Sequence, residues 1–121
     1  MGDMSSLVFS VKKLKDSIVT SPYGQRRLRL RRAFTYKDIK VPVGYITNGA
    51  SVPRFFWWYQ PPFDPAILPA VIIHDFLCDK EQYKKADRYF KEILELLDIS
   101  ATRVKILVGA VRVYHKIRYG E

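Results

Sequence analysis

The segment Pro69–Cys78 constrains the fold more than any other part of the chain, because it is apolar on nearly every side. A helix beginning at Asp64 or Leu68 and ending at Cys78 therefore has to be central and buried. Two ionisable residues, His74 and Asp75, lie within it, and burying them unpaired would cost several kcal/mol. Neighbouring elements must consequently pack around this helix and supply polar partners.

Before this helix the sequence predicts short strands rich in β-branched and apolar residues. In the most regular of them, leucines at 28 and 30 alternate with arginines at 27, 29 and 31, which indicates a half-buried strand with a cationic outer face. Arg32 falls on the leucine side. The predicted strands are Leu7–Val11, Ser17–Thr20, Arg26–Phe34 and Val41–Thr47, the last interrupted by Pro42 and Gly44.

After this helix the sequence predicts two amphipathic helices, and a short aromatic segment, Arg54–Tyr59, precedes it. Asp79 with Gln82 three residues later is typical of a capping box for the first amphipathic helix, and Ser100 caps the second, which ends near Gly120. The order indicates an α+β fold with amino-terminal antiparallel strands, three to four packed helices and one domain over residues 1–121. The two apolar stripes are Tyr83, Ala86, Phe90, Ile93, Leu94 and Leu97, and Val104, Leu107, Val108, Val111 and Tyr114.

The charge of the chain favours anionic partners. A formal net charge of +9 attracts nucleic acid, phospholipid headgroups or acidic protein surfaces. No nucleic-acid motif is present, so we expect at most weak, salt-sensitive, sequence-independent binding. We expect no signal peptide and no membrane span, because Met1–Ser6 is polar and the longest apolar stretch, Ile67–Ile73, is far shorter than the roughly 20 residues that cross a bilayer.

His74 and Asp87 are expected to meet. Asp87 lies three residues before Phe90, on or beside the core-facing stripe of its helix, where a carboxylate needs a polar partner. A short connection makes this helix antiparallel to the central one, which brings His74 within reach. A histidine held by a carboxylate has the arrangement of a general base, but the same pair is also found as a structural network that fixes register.

The loop Thr47–Arg54 is the third element of the predicted site. Its glycine lets backbone approach closely, and Asn48 and Ser51 add short polar side chains. The loop either forms a wall of the site or is a turn followed by a Ser51 helix cap. We take Asn48, Ser51 and Arg54 as candidate substrate-binding residues, and His74, Asp87 and Asp75 as candidate catalytic residues.

Several motifs together resemble those of a family of short phage and prophage proteins, domain of unknown function 1353. They are T-N-G-A-S-V-P-R-F-F-W at 47–57, P-P at 61–62, H-D-F-L-C at 74–78, A-D-R-Y-F at 86–90 and A-V-R-V-Y at 110–114. The resemblance runs from about Val41 to Tyr119 and implies a phage context, hence the host cytoplasm or a virion. It also implies a shared polar cluster of Asn48, Ser51, His74, Asp75 and Asp87. Asn48 stands where the family usually has an acid, and Cys78 where it usually has tyrosine.

Other chemistries fit the sequence poorly. Zinc has too few soft ligands, one cysteine and two histidines without conventional spacing, so we predict no metal and no cofactor. No nucleophile-elbow motif surrounds Ser51. Cys78 is expected to be a small buried hydrophobe rather than a nucleophile, and His115 a surface histidine among basic residues. In the aromatic run, we expect Trp57 or Trp58 to be exposed at a contact surface.

Two hypotheses follow from the sequence. One is a phage-encoded hydrolase that acts on peptidoglycan or phospholipid, with His74 as the base, Asp87 orienting it and Asp75 binding substrate or water. The other is a non-enzymatic phage accessory or virion-associated protein whose His–Asp cluster is structural and whose basic and aromatic surfaces bind a phage or host partner. Solvent access to His74 separates them, because general-base catalysis requires an open ring nitrogen. The sequence does not determine the oligomeric state.

Overall fold

The computed structural model describes residues 18–24, 27–49, 52, 56, 58–61 and 63–119, with the side chains of 118 and 119 excepted. Within these residues five strands precede three helices, so the fold is α+β as predicted. The strands are β1 (Thr20–Pro22), β2 (Leu28–Leu30), β3 (Phe34–Tyr36), β4 (Ile39–Val41) and β5 (Ile46–Thr47). The helices are α1 (Leu68–Asp79), α2 (Tyr83–Leu96) and α3 (Ala101–Tyr119). The predicted strand Leu7–Val11 and half of the segment Arg54–Tyr59 lie outside the described residues.

The strands form two antiparallel sheets. One has the order β1–β2–β5, with Thr20 opposite Leu30 and Leu28 opposite Thr47; the other is the β3–β4 hairpin, with Phe34 opposite Val41. Because this hairpin begins only four residues after Leu30, the long strand predicted for Arg26–Phe34 is wrong. The chain bends at residues 31–32, and Arg32 is exposed rather than directed inward.

The other strand boundaries also shift. The predicted strand Val41–Thr47 divides into the end of β4 and the whole of β5, because Pro42 and Gly44 lie between them and Gly44 has a φ of 91°. Of the described residues of the predicted strand Ser17–Thr20, only Thr20 belongs to β1.

The β3–β4 hairpin is attached to α2 through side chains at its turn and at the end of β3. Tyr36 donates a hydrogen bond to Glu92 at 2.8 Å, and Lys37 pairs with the same carboxylate at 2.7 Å. The next turn residue, Asp38, accepts a hydrogen bond from Tyr89 at 2.7 Å and pairs with Lys85. Hydroxyl and ammonium groups therefore position this hairpin on the helix.

Helix α1 is buried along most of its length, as its composition predicted. Residues 68–75 are all buried, and the core packs the apolar faces of α2 and α3 around them. Of the two predicted stripes, Tyr83 and Tyr114 are only partly buried and the other members are buried. Among the described residues no helix has the length and apolar character needed to cross a membrane.

Of the two helix caps predicted for the connections between helices, one is confirmed and the other is wrong. Ser100 caps α3, since its Oγ accepts a hydrogen bond from the Arg103 N–H at 3.3 Å. Asp79 does not cap α2: it is the last residue of α1, and its carboxylate accepts a hydrogen bond from Tyr45 at 2.7 Å. Helix α2 begins after Gln82, which makes no side-chain cap.

Helices α1 and α2 both end in Schellman motifs without glycine. After α1, the N–H of Gln82 bonds the Leu77 carbonyl and that of Glu81 bonds the Cys78 carbonyl, both at 2.9 Å. The residue in the left-handed region is Glu81, with φ 59°, and Asp98 has the same role after α2, with φ 63°. The first motif includes Gln82, which the predicted capping box of α2 requires, and this explains why that capping box does not form.

Candidate functional site

The predicted pair of His74 and Asp87 exists. Helix α1 carries His74 in its middle, α2 carries Asp87 in its second turn, and the short connection at residues 80–82 makes the helices neighbours. The Nε2 atom of His74 lies 2.8 Å from Oδ1 of Asp87. His74 is 0% exposed, whereas the Asp87 side chain keeps 18% of its surface accessible.

His115 joins this pair and closes a ring of four side chains, the His–Cys–Asp cluster (His74, Cys78, Asp87 and His115). Its Nδ1 lies 3.4 Å from Oδ1 of Asp87, and its Nε2 lies 3.3 Å from Sγ of Cys78. Sγ is also 3.7 Å from Nδ1 of His74, one helical turn earlier. The two imidazole rings are stacked 5.0 Å apart and inclined by 9°. One carboxylate therefore spans one edge of both rings, and one sulfur spans the opposite edge.

The prediction of a surface position for His115 is wrong, because the side chain is only 5% exposed. A signal for this burial was present in the sequence. His115 lies four residues after Val111 and seven after Val108, and so continues the apolar stripe of α3 towards α1. The basic residues beside it, Arg112 and Lys116, occupy the exposed side of the helix.

The carboxylate of the cluster is ionised and its thiol is protonated at neutral pH. Burial raises the pKa of Asp87, but hydrogen bonds from His115 and His74 outweigh burial and hold this pKa well below its usual range. Burial raises the pKa of the Cys78 thiol, and the carboxylates of Asp75, Asp87 and Asp79 raise it further. Since thiolates rather than thiols are nucleophiles, this environment does not activate Cys78 for nucleophilic attack.

The donor atoms of the cluster are close enough to share a metal ion. Nδ1 of His74, Nε2 of His115 and Sγ of Cys78 all lie within 4.8 Å of one another. The prediction of no zinc rested on the small number of soft ligands and on their spacing along the chain. The spacing is no obstacle in the fold, where His115 reaches a sulfur 37 residues away. Helices α1 and α3 together supply the ligand types that a linear motif would have contained.

Asp75 faces the β1–β2–β5 sheet and not the His–Cys–Asp cluster. It is buried, and it accepts a hydrogen bond from the hydroxyl of Thr47 at the end of β5. The N–H of Gly49 lies 3.4 Å from the same hydroxyl. The described start of the loop predicted to form a wall of the site, Thr47–Gly49, is thus held against α1 by Thr47, a contact that was not predicted from the sequence. Asn48 is exposed beside it, and Ser51 and Arg54 lie outside the described residues.

A pocket of about 420 Å³ opens between α2 and α3 over the outer edge of the cluster. Asp87 and His115 line it, so these two side chains connect the buried cluster with solvent. Three exposed cations, Lys84, Arg112 and Lys116, surround them, together with Tyr83 and Val113. In the aromatic segment Trp58 is 82% exposed, in accord with the expected exposure, and Trp57 lies outside the described residues.

The fold and the cluster define a small α+β protein with a buried polar site formed by three helices. Residues 25–111 match the family described as protein of unknown function DUF1353, and the chain belongs to this family. His74, Cys78 and Asp87 lie inside the matched range, and His115 lies four residues beyond it.

The chain is also similar to an uncharacterized protein, y4jT, of Sinorhizobium fredii (strain NBRC 101917 / NGR234). The two sequences are 32% identical over 77 residues, which is 61% of this chain and 23% of that protein. The chain therefore spans about a quarter of the length of this relative. No solved structure matches the chain.

Proposed function

We propose that this protein is a phage accessory or virion-associated protein that binds an anionic group in the pocket between α2 and α3. The phage context rests on the resemblance of its motifs to phage and prophage proteins. The observation that carries anion binding is the set of three cations, Lys84, Arg112 and Lys116, around one pocket. The single carboxylate inside, Asp87, already accepts hydrogen bonds from two imidazoles, so its negative charge is largely satisfied.

The burial of His74 favours this function over a hydrolase that uses His74 as its base. Its ring is 0% exposed, Nε2 faces Asp87 and Nδ1 faces Cys78. A general base has to come within hydrogen-bond distance of the proton that it abstracts, or reach it through one water. His74 does so only if the cluster opens, whereas the cationic pocket is accessible in the closed fold.

A titration with sodium pyrophosphate, followed by ¹H–¹⁵N NMR at low salt, tests the proposal. The largest chemical-shift changes should fall at residues 83–87 and 112–116. Replacing all three cations by glutamine (K84Q/R112Q/K116Q) should weaken binding about 10-fold, because each exposed charge contributes about 0.5 kcal/mol. A control variant, K40Q/K91Q/K105Q, removes the same charge from exposed positions outside the pocket and should weaken binding less than about 3-fold.

Equal weakening in the two triple variants would overturn the pocket as the binding site. It would show that the anion responds to the net charge of +9 and not to a particular arrangement of side chains. Shift changes spread evenly over all basic residues would lead to the same conclusion.

A hydrolase acting on peptidoglycan or phospholipid is the second candidate, with one change of residue. The favouring observation is that Asp87 and His115 line the pocket, so His115 replaces His74 as the group that faces substrate. The test is release of soluble products from purified peptidoglycan, or of fatty acid from phosphatidylglycerol vesicles. Activity that is lost in His115→Gln and kept in Lys105→Gln would support this function; no release of product by the wild-type protein would exclude it for these substrates.

A further inference from the structure

We propose that His74, Cys78 and His115 form a binding site for one Zn²⁺ ion, held by Nδ1 of His74, Sγ of Cys78 and Nε2 of His115. This site goes beyond the proposed anion binding: the pocket cations take no part in it, although His115 lines that pocket as well. The three donor atoms come from α1 and α3, and all of them lie within 4.8 Å of one another.

The first support is the separation of the donor atoms. Tetrahedral zinc with Zn–S near 2.3 Å and Zn–N near 2.0–2.1 Å places sulfur and nitrogen about 3.5 Å apart. The two sulfur–nitrogen distances in the cluster, 3.3 and 3.7 Å, lie on either side of this value. The imidazole rings, stacked 5.0 Å apart and inclined by 9°, have to tilt towards the sulfur for both ring planes to contain the ion.

The second support is the orientation of the imidazoles. A histidine that binds zinc commonly donates its other ring N–H to a carboxylate, which fixes the tautomer and raises the basicity of the ligating nitrogen. Asp87 lies 2.8 Å from Nε2 of His74 and 3.4 Å from Nδ1 of His115, so one carboxylate serves both rings. With the protons on those nitrogens, the acceptor nitrogens of both rings face the sulfur.

The third support is the chemical type of the ligands. A thiol carries one proton and here faces two acceptor nitrogens, whereas one cation can engage all three atoms. A set of two imidazoles and one thiolate suits Zn²⁺ and not Mg²⁺ or Ca²⁺, which take oxygen ligands. Binding converts Cys78–SH and Zn²⁺ into a Zn–S bond and releases one proton to solvent. With three protein ligands, the fourth position is left for water or another small ligand.

The amino-acid composition makes the test unusually clean. The chain has one cysteine and two histidines, and all three belong to the proposed site. In protein without a polyhistidine tag, a thiolate-to-metal charge-transfer band with Co²⁺ can therefore come only from Cys78. We expect this band, with tetrahedral d–d absorption, to saturate at one equivalent of Co²⁺ and to disappear on addition of Zn²⁺, whereas excess Mg²⁺ leaves it unchanged.

Variants then assign the ligands. Cys78→Ser should abolish the charge-transfer band and weaken Zn²⁺ binding at least about 10-fold. Asp87→Asn should keep the band and weaken binding about 10- to 100-fold, as expected for a carboxylate behind the ligands. Asp98→Asn is the matched control, because this exposed acid follows α2 and lies outside the His–Cys–Asp cluster, and it should bind like wild type.

A measurement on the wild-type protein avoids any dependence on the folding of variants. Long-range ¹H–¹⁵N NMR of the histidine rings should show Zn²⁺ on Nδ1 of His74 and on Nε2 of His115. The inference is overturned if Zn²⁺ moves neither ring resonance, if the opposite nitrogens are the ones affected, or if Cys78→Ser binds Zn²⁺ as tightly as wild type. None of these outcomes bears on pyrophosphate binding, so the two proposals fail separately.

Discussion

Asp87 is the residue on which the described site depends most, because it accepts hydrogen bonds from two imidazoles that approach from different helices. The carboxylate is partly buried. Removing its charge weakens both bonds at once, and an amide replaces one acceptor oxygen by a donor.

We expect Asp87→Asn to lower the free energy of unfolding by about 1.5–3 kcal/mol, the usual range for hydrogen bonds to a charged group. Urea denaturation at neutral pH with a chelator present measures this value without any contribution from metal. Asp79→Asn, which alters one exposed hydrogen bond to Tyr45, should cost less than about 1 kcal/mol. Similar losses in the two variants would contradict a special role for Asp87.

Asp38 gives a prediction for acid conditions. A hydrogen bond from Lys85, with a second from Tyr89, lowers the pKa of Asp38 from 3.8 to about 2. A carboxyl with a lowered folded-state pKa stabilises the fold fully above its unfolded value, and this contribution is lost as the pH falls from about 4 towards 2. The melting temperature of wild type should therefore exceed that of Asp38→Asn at pH 5, and the difference should narrow by pH 3. A difference that stays constant over this range would contradict the assignment.

At the scale of elements, the left-handed backbone conformation of Glu81 after α1 lowers the stability of the fold, and a single substitution can remove this cost. Glu81 has a φ of 59°, a region that costs residues with a Cβ about 1–2 kcal/mol and glycine almost nothing. The Schellman hydrogen bonds need this conformation, whichever residue occupies it.

Glu81→Gly should therefore raise the free energy of unfolding by about 1 kcal/mol, measured by urea denaturation. Glu81→Ala keeps the Cβ and should change stability by less than about 0.5 kcal/mol, which separates backbone conformation from loss of the exposed carboxylate. A glycine variant no more stable than the alanine variant would disprove this explanation.

The helices and their connections show which structural features could be predicted from the sequence and which could not. The period of apolar residues predicted α1, α2 and α3, the Ser100 cap and the contact of His74 with Asp87, because all depend on local spacing. The predicted Asp79 capping box does not form because residues 80–82 belong to the Schellman motif that ends α1. The burial of His115 was not predicted, because the basic residues near it in the sequence suggest a surface position while its register with Val111 places it on the buried face of α3. The convergence of Cys78 and His115 depends on how α1 crosses α3, which no local pattern encodes.

At the scale of the whole molecule, the net charge of +9 makes binding of any polyanion depend on salt. If a single-stranded oligonucleotide contacts the three pocket cations, the counterion-release slope of about −0.7 for each contact predicts roughly 20-fold weaker binding at 200 mM than at 50 mM salt. Fluorescence anisotropy with two oligonucleotides of unrelated sequence measures this change. Equal affinities for the two are expected, and affinity independent of salt would contradict binding through the pocket cations.

The ring of four side chains also provides intrinsic probes of the packing of α3 against α1. Its only thiol lies against an imidazole of α3, so the rate at which Cys78 reacts with an alkylating reagent follows how often α3 moves away from α1. The only two imidazoles occupy the same junction. Selective labelling of histidine alone would therefore show, in two NMR signals, whether all three helices are assembled.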